Sequence, residues 1–176
     1  IINSDMIYIT ACGTSWHAAL IGSYILENLL NIPVKVEYAS EFRYRKTTLS
    51  SSTTLIAISQ SGETADTLAA LEKAKSHGAR TLGIVNVVGS TIAREADCGV
   101  YIHAGPEIGV ASTKAFTCQV SVLNLIGLFL YQFQTDRNDP KLKEIISEFN
   151  SISDKIDTIL SYSDNIKKIA KSYKDA

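Results

Sequence analysis

A doubly wound α/β domain is the fold this sequence predicts: about five parallel strands flanked by helices, with further helices at the C-terminal end. Three observations carry the expectation. Short β-branched runs alternate with helix-forming stretches from Met6 to His103, which is how a parallel sheet with right-handed crossovers reads in sequence. The runs read as continuously apolar rather than alternating, as in strands covered on both faces. Two of the runs end in loops rich in glycine and hydroxyls, at the strand ends where open parallel sheets bind ligands.

Met6 to Cys12 (MIYITAC) is the first strand, ending at Gly13-Thr14-Ser15. Trp16 to Leu30 follows as a helix. It must stop before Pro33, because proline lacks an N–H and its ring clashes with the preceding turn. Val34 to Tyr38 is the second strand. Thr54 to Ser59 is the third, with a helix after it from Glu63 to His77 that ends at Gly78. Arg80 to Asn86 is the fourth strand, Thr91 to Glu95 a short helix, and Gly99 to His103 the fifth strand. Thr113 to Phe133 is apolar nearly all round, which suits the centre of a core or a subunit interface. Beyond Asn138-Asp139-Pro140, apolar residues recur by threes and fours from Leu142 to Leu160, as in an amphipathic helix. Ser161 to Asn165 (SYSDN) favours a break, since Ser, Asp and Asn prefer caps to helix interiors. A last helix spans Ile166 to Tyr173. The expected divisions are 1–136 for the α/β core, 137–163 for an amphipathic helix packing on or linking the domain, and 164–176 for the start of a linker helix.

At 176 residues the chain suffices for one domain with a sizeable core. A net charge of −1 gives no electrostatic case for nucleic acid or an anionic membrane surface, so neither is expected as a partner. Cys12, Cys98 and Cys118 are an odd number with no CxxC pair. That argues against a disulfide framework or a zinc site and fits a reducing compartment, so a cytoplasmic place is expected. The apolar run Val120 to Phe133 is shorter than the roughly 20 residues a bilayer requires. The first residues lack the basic start and cleavage site of a signal peptide, and the absence of an initiator Met reads as part of something longer.

The loops Cys12-Gly13-Thr14-Ser15 and Ser59-Gln60-Ser61-Gly62-Glu63-Thr64 each lead into a helix N-terminus, which offers unpaired N–H groups and a partial positive charge. Gly13 and Gly62 permit turns closed to other residues. Thr14, Ser15, Ser59, Ser61 and Thr64 supply hydroxyl donors and Gln60 an amide, a neutral cradle for phosphate without Lys or Arg. Helix capping alone is the competing explanation; it weighs equally for CGTS and less for SQSGET, where donors are denser. There is no GxxxxGK[ST] motif and no GxGxxG. Glu37 and Glu41 near the end of the second strand therefore do not make a dinucleotide site, and a small phosphorylated molecule fits better than a nucleotide. No cofactor or metal is expected. A third segment, Gly105 to Ala115 (GPEIGVASTKA), could close over a ligand, with Glu107 as acid or base and Lys114 as a cation. Chemistry alone slightly favours a plain connection, with Ser112 as N-cap and Lys114 at the surface.

Together, "ACGTSWHAA", "ISQSGETADT" and "GPEIGVASTKAFT" resemble the first sugar isomerase (SIS) domain of the glutamine–fructose-6-phosphate aminotransferase family. SQSGET alone would indicate only a SIS domain; GPEIGVASTKAFT makes the likeness specific. "ASEFRYR" and "VNVVGSTIARE" agree with it, and the resemblance covers essentially the whole chain. The family makes glucosamine 6-phosphate from fructose 6-phosphate and glutamine, using a glutaminase domain and two SIS domains. The resemblance implies that Ser59, Gln60, Ser61 and Thr64 hold the substrate phosphate, with Thr14 and Ser15 beside it and Val110 and Ser112 lining the sugar. It implies the family's dimers, formed through SIS domains. It also implies that the base, the ring-opening histidine and the lysine near the carbonyl lie in the second SIS domain and C-terminal tail, so no catalytic residue is assigned here. Cys12, expected to be buried at its strand end, does not replace the glutaminase cysteine, and His17, His77 and His103 match no catalytic position. A stand-alone phosphosugar isomerase and a sugar-phosphate sensor domain of a regulator are the alternatives. The first would need its own base beside the phosphate loops, for which Glu107 is the candidate. The second would normally bring a basic DNA-binding segment.

Overall fold

The computed structural model describes residues 1–109, 112–136 and 138–174. The chain separates into two compact units, Ile1–Gln134 and Thr135–Ala176.

The first unit is built on one sheet of five strands: β1 (Met6–Ala11), β2 (Val34–Tyr38), β3 (Thr53–Ser59), β4 (Arg80–Val85) and β5 (Cys98–Tyr101). All neighbours are parallel, in the order β2-β1-β3-β4-β5. Between and after them come α1 (Gly13–Leu30), α2 (Ala39–Tyr44), α3 (Ala65–Ser76), α4 (Thr91–Glu95) and α5 (Lys114–Tyr131). This is the expected doubly wound α/β fold. From β1 the chain moves outward to β2, whereas from β3 it moves the other way to β4. Right-handed crossovers therefore put α1 on one face of the sheet and α3 on the other.

Side-chain alternation divides the core accordingly. Tyr8, Leu55, Ala57 and Val85 point toward α2, α3 and α4, where they cluster with Phe42, Leu71 and Ile92. Ile7, Ile9, Ile56, Ile58 and Ile84, all fully buried, take the opposite face under α1 and α5. Those two helices meet at a close seam: a methyl group added to Gly22 would stand 2.6 Å from Cδ1 of the buried Leu123.

Local differences from expectation have local causes. α1 starts at Gly13 instead of Trp16, because Cys12 takes the extended N-cap conformation and the helix begins directly on it. α2 went unforeseen, since six residues are too few to show a helical period. Double coverage holds for β1, β3 and most of β4 but fails at both sheet edges: in β2 only Glu37 of five residues is buried, and in β5 three of four residues are exposed. α5 buries Ala115, Gln119, Leu123, Gly127 and Leu128, while Leu125 and Phe129, and Phe133 just beyond its end, are exposed. Lys114–Tyr131 is one helix long and apolar enough to cross a membrane by length and composition; in this fold one face of it packs on α1.

The second unit holds α6 (Pro140–Asn150), α7 (Ile152–Leu160) and α8 (Ser163–Ser172). Asp139 caps α6 by accepting from the N–H of Leu142, with Pro140 at the first helical position where its missing N–H costs nothing. Two breaks replace the one expected. The first falls at Ser151, whose hydroxyl donates to the Glu148 carbonyl. The second is confined to Ser161 and Tyr162, and Ser163 to Asn165 form the first turn of α8, where Asp164 suits the positive end of the helix dipole.

Candidate functional site

Between β1 and β3 the direction of winding reverses, and the C-terminal ends of these two strands flank a cleft of about 300 Å³. That is the small end of the range for small-ligand sites. Cys12 to Ser15 form one wall and Ser59, Gln60, Ser61 and Thr64 another, with Ile58 at the base; Glu107, Gly109 and Ser112 come in from the third segment. The structure thus brings together seven of the eight residues expected to bind substrate: Thr14, Ser15, Ser59, Gln60, Ser61, Thr64 and Ser112. Val110 lies outside the described residues.

The SQSGET loop is shaped by its own hydroxyls. Ser59, almost fully buried, accepts from the Gly62 N–H at 3.0 Å and shares a hydrogen bond with Thr64 Oγ1 at 2.9 Å. Ser61 Oγ accepts from the Glu63 N–H at 3.1 Å. Ser61 accepts through oxygen, so its own hydrogen is left to donate, and the Ser59–Thr64 pair has one hydroxyl hydrogen to spare whichever of the two donates. Gly62 turns the chain at φ +68°, and an added Cβ there would stand 2.0 Å from Ser90 Oγ. Ile92 N–H donates to the Gly62 carbonyl, and Glu63 accepts from Thr91 N–H at 2.7 Å, so α4 braces the loop from behind.

On the other side, Ser15 is buried and receives a hydrogen bond from Gln119 Nε2 of α5 at 2.9 Å. Sequence reasoning passed over Gln119; the available signal was a lone amide inside the apolar run that became α5. Asn86 was missed as well. Its side chain donates to the Gly105 carbonyl and accepts from Ala104 N–H, fixing where the third segment leaves the sheet. Cys12 is half-buried instead of buried, and faces the cleft with Thr67 Oγ1 3.9 Å from its sulfur.

Glu107 answers the question of the third segment differently from either expectation. Ser112 is not the N-cap of α5; Thr113 stands there, without a side-chain cap of its own. The Glu107 carboxylate accepts from Thr113 N–H at 2.7 Å, Lys114 N–H at 3.1 Å and Ser112 Oγ at 2.9 Å. These bonds, that from the Thr113 N–H foremost, hold its carboxyl below the ordinary value against the opposing effect of burial. Glu107 is therefore ionised at neutral pH and engaged with a helix terminus, a poor proton acceptor. Lys114 is exposed, as expected.

No Lys or Arg is among the described residues lining the cleft. An anion here would be held by hydroxyls, the Gln60 amide and the helix N-termini behind them. A dinucleotide fares worse. Glu37, at the end of β2, is buried and paired with Lys35 at 2.7 Å and Arg45 at 2.9 Å, so it is not offered to a ribose.

Comparison with known proteins gives the following. The SIS domain family matches residues 1–128. Among curated proteins, the chain is 56% identical over 170 residues to the glutamine–fructose-6-phosphate aminotransferase (isomerizing) of Chlorobaculum tepidum, covering 97% of this chain and 28% of the relative. It is 50% identical over 173 residues to the enzyme of the same name from Bacteroides thetaiotaomicron, covering 98% of this chain and again 28% of the relative. Among solved structures, the C-terminal domain of glucosamine-fructose-6-phosphate aminotransferase from Francisella tularensis superposes with a TM-score of 0.92 at 36% identity, over 98% of this chain and 49% of that one. The chain thus spans a little over a quarter of the curated relatives it matches.

Proposed function

We propose that this chain, which belongs to the SIS domain family, is the sugar-phosphate-binding part of a glutamine–fructose-6-phosphate aminotransferase, holding fructose 6-phosphate during its conversion to glucosamine 6-phosphate. One observation carries this: two hydroxyl-rich loops, from strands wound in opposite directions, converge on one cleft without a basic residue. The phosphate belongs at the Ser59–Thr64 loop, with Thr14 and Ser15 beside it. The sugar extends toward Ser112, Val110 and Glu107. An ionised Glu107 repels a phosphate dianion and accepts from sugar hydroxyls, which sets the direction of the ligand.

The chain contributes binding and orientation. Ammonia release and the proton transfers of isomerisation belong to a glutaminase domain and a second SIS domain of the same protein. Glu107, tied to the start of α5, counts against a stand-alone isomerase using it as base. The dimer that the family resemblance implies would use the exposed apolar face of α5, at Leu125 and Phe129, continued by Phe133 just beyond its end, and sedimentation velocity checks it. A cytoplasmic place is supported by three cysteines left as free thiols.

Calorimetric titration of the chain with fructose 6-phosphate and with fructose tests the assignment. Binding of the phosphate ester alone, weakened tenfold or more by Ser61→Ala with Thr64→Val, is expected. Equal binding of both sugars would sink it.

A further inference from the structure

Gln119 sits in the second turn of α5, 1% exposed, among residues otherwise packed as apolar core. Its Nε2 lies 2.9 Å from Ser15 Oγ, and its Oε1 is buried without a hydrogen-bond partner. A leucine or methionine would fill this place without leaving an unsatisfied acceptor. The amide therefore needs a reason, and the reason lies in the one bond it makes. A carboxamide NH2 carries hydrogens and no lone pair, so Gln119 can only donate to Ser15 and the serine oxygen can only accept. The remaining hydrogen of that hydroxyl is left to point elsewhere, and Ser15 lines the cleft.

We propose that Gln119 is a positioning residue that fixes the Ser15 hydroxyl as a hydrogen-bond donor to the anionic end of the ligand. The proposal rests on the phosphate reading of the cleft and adds a source of selectivity to it. A serine free to rotate serves donors and acceptors alike, so it serves a neutral sugar hydroxyl as well as a phosphate. A serine with one of its two lone pairs already occupied keeps its hydrogen free to donate and has less capacity left to accept, which favours a ligand that only accepts; a phosphate dianion is such a ligand. The polarity is set from beneath, by a side chain that does not line the cleft. It travels across the α1–α5 seam, so α5 contributes to recognition from its buried face.

The test is titration calorimetry of the 176-residue chain with fructose 6-phosphate and with fructose, alongside melting temperature. Gln119→Leu and Gln119→Met remove the donor and keep a filled core. Gln119→Glu replaces the donor by an acceptor of the same shape. Ser15→Ala and Ser15→Ala with Gln119→Met complete a double-mutant cycle. The expected result is about tenfold weaker binding of fructose 6-phosphate in Gln119→Met, more in Gln119→Glu, and no further loss when Gln119→Met is added to Ser15→Ala. A merely structural glutamine would move melting temperature and leave no such coupling. Unchanged affinity in Gln119→Met, or equal losses with and without the Ser15 hydroxyl, overturns the proposal. Wild-type chain that fails to distinguish fructose 6-phosphate from fructose overturns the phosphate reading itself, and the proposal with it.

Discussion

Single residues decide whether the phosphate loop keeps its shape. Gly62 combines φ +68° with contact on Ser90, so a side chain there meets both backbone strain and a clash. Gly62→Ala should cost about 2–4 kcal/mol in urea denaturation. Adding Ser90→Gly should return the clash portion, because Ser90 Oγ is buried without a hydrogen-bond partner and its loss breaks no bond. Glu107 makes the pH prediction. Its folded pKa is depressed, so its contribution is complete above the unfolded value, roughly 4.3, and is lost as pH falls through the lower folded value. Hydrogen exchange at the Thr113 amide should therefore accelerate beyond its intrinsic rate as the pH falls below the unfolded value and through the lower folded one, and Glu107→Gln should abolish that extra dependence. Unaltered protection across that range would show that the carboxylate does not hold the start of α5. The hydroxyls of SQSGET were legible in sequence because their density exceeds what a helix cap needs. The roles of Gln119, Asn86 and Glu107 were not: Gln119 acts across 104 residues and Asn86 across 19, and Glu107 reaches the start of α5 from six residues before Thr113, outside any usual capping position.

At the level of elements, the α1–α5 seam couples the core to the cleft. Leu123→Ala should destabilise by about 2–4 kcal/mol, and Gly22→Ala added to it should recover part of the loss, by filling the space and raising helix propensity. Gly22→Ala alone should give no gain, because the buried Leu123 occupies that volume. A stabilised Gly22→Ala single variant in urea melts would contradict the tight seam. Strand identities were readable because β-branched runs at regular spacing admit few other states, and their ends came within a residue or two. What failed was context. α2 is too short for periodicity, β5 gains exposure only from its place at the sheet edge, and the break at Ser151 interrupts a pattern whose apolar spacing continues through it.

For the molecule as a whole, sheet order explains why residues 45 positions apart meet. The reversal between β1 and β3 sets Thr14 and Ser59 beside one cleft, and any other strand order would separate them. All described residues of the cleft lie within Ile1–Gln134. A chain cut to that unit should therefore bind fructose 6-phosphate within threefold of the whole, and a tenfold loss would give the second unit a part in the site. The central claim, that the converging loops hold a sugar phosphate, is met most directly by amide NMR of the 176-residue chain titrated with fructose 6-phosphate and, separately, fructose. Shifts concentrated at residues 13–15 and 60–65, weaker at 107–112 and absent with fructose, are expected. Shifts elsewhere, or none at millimolar ligand, would contradict it.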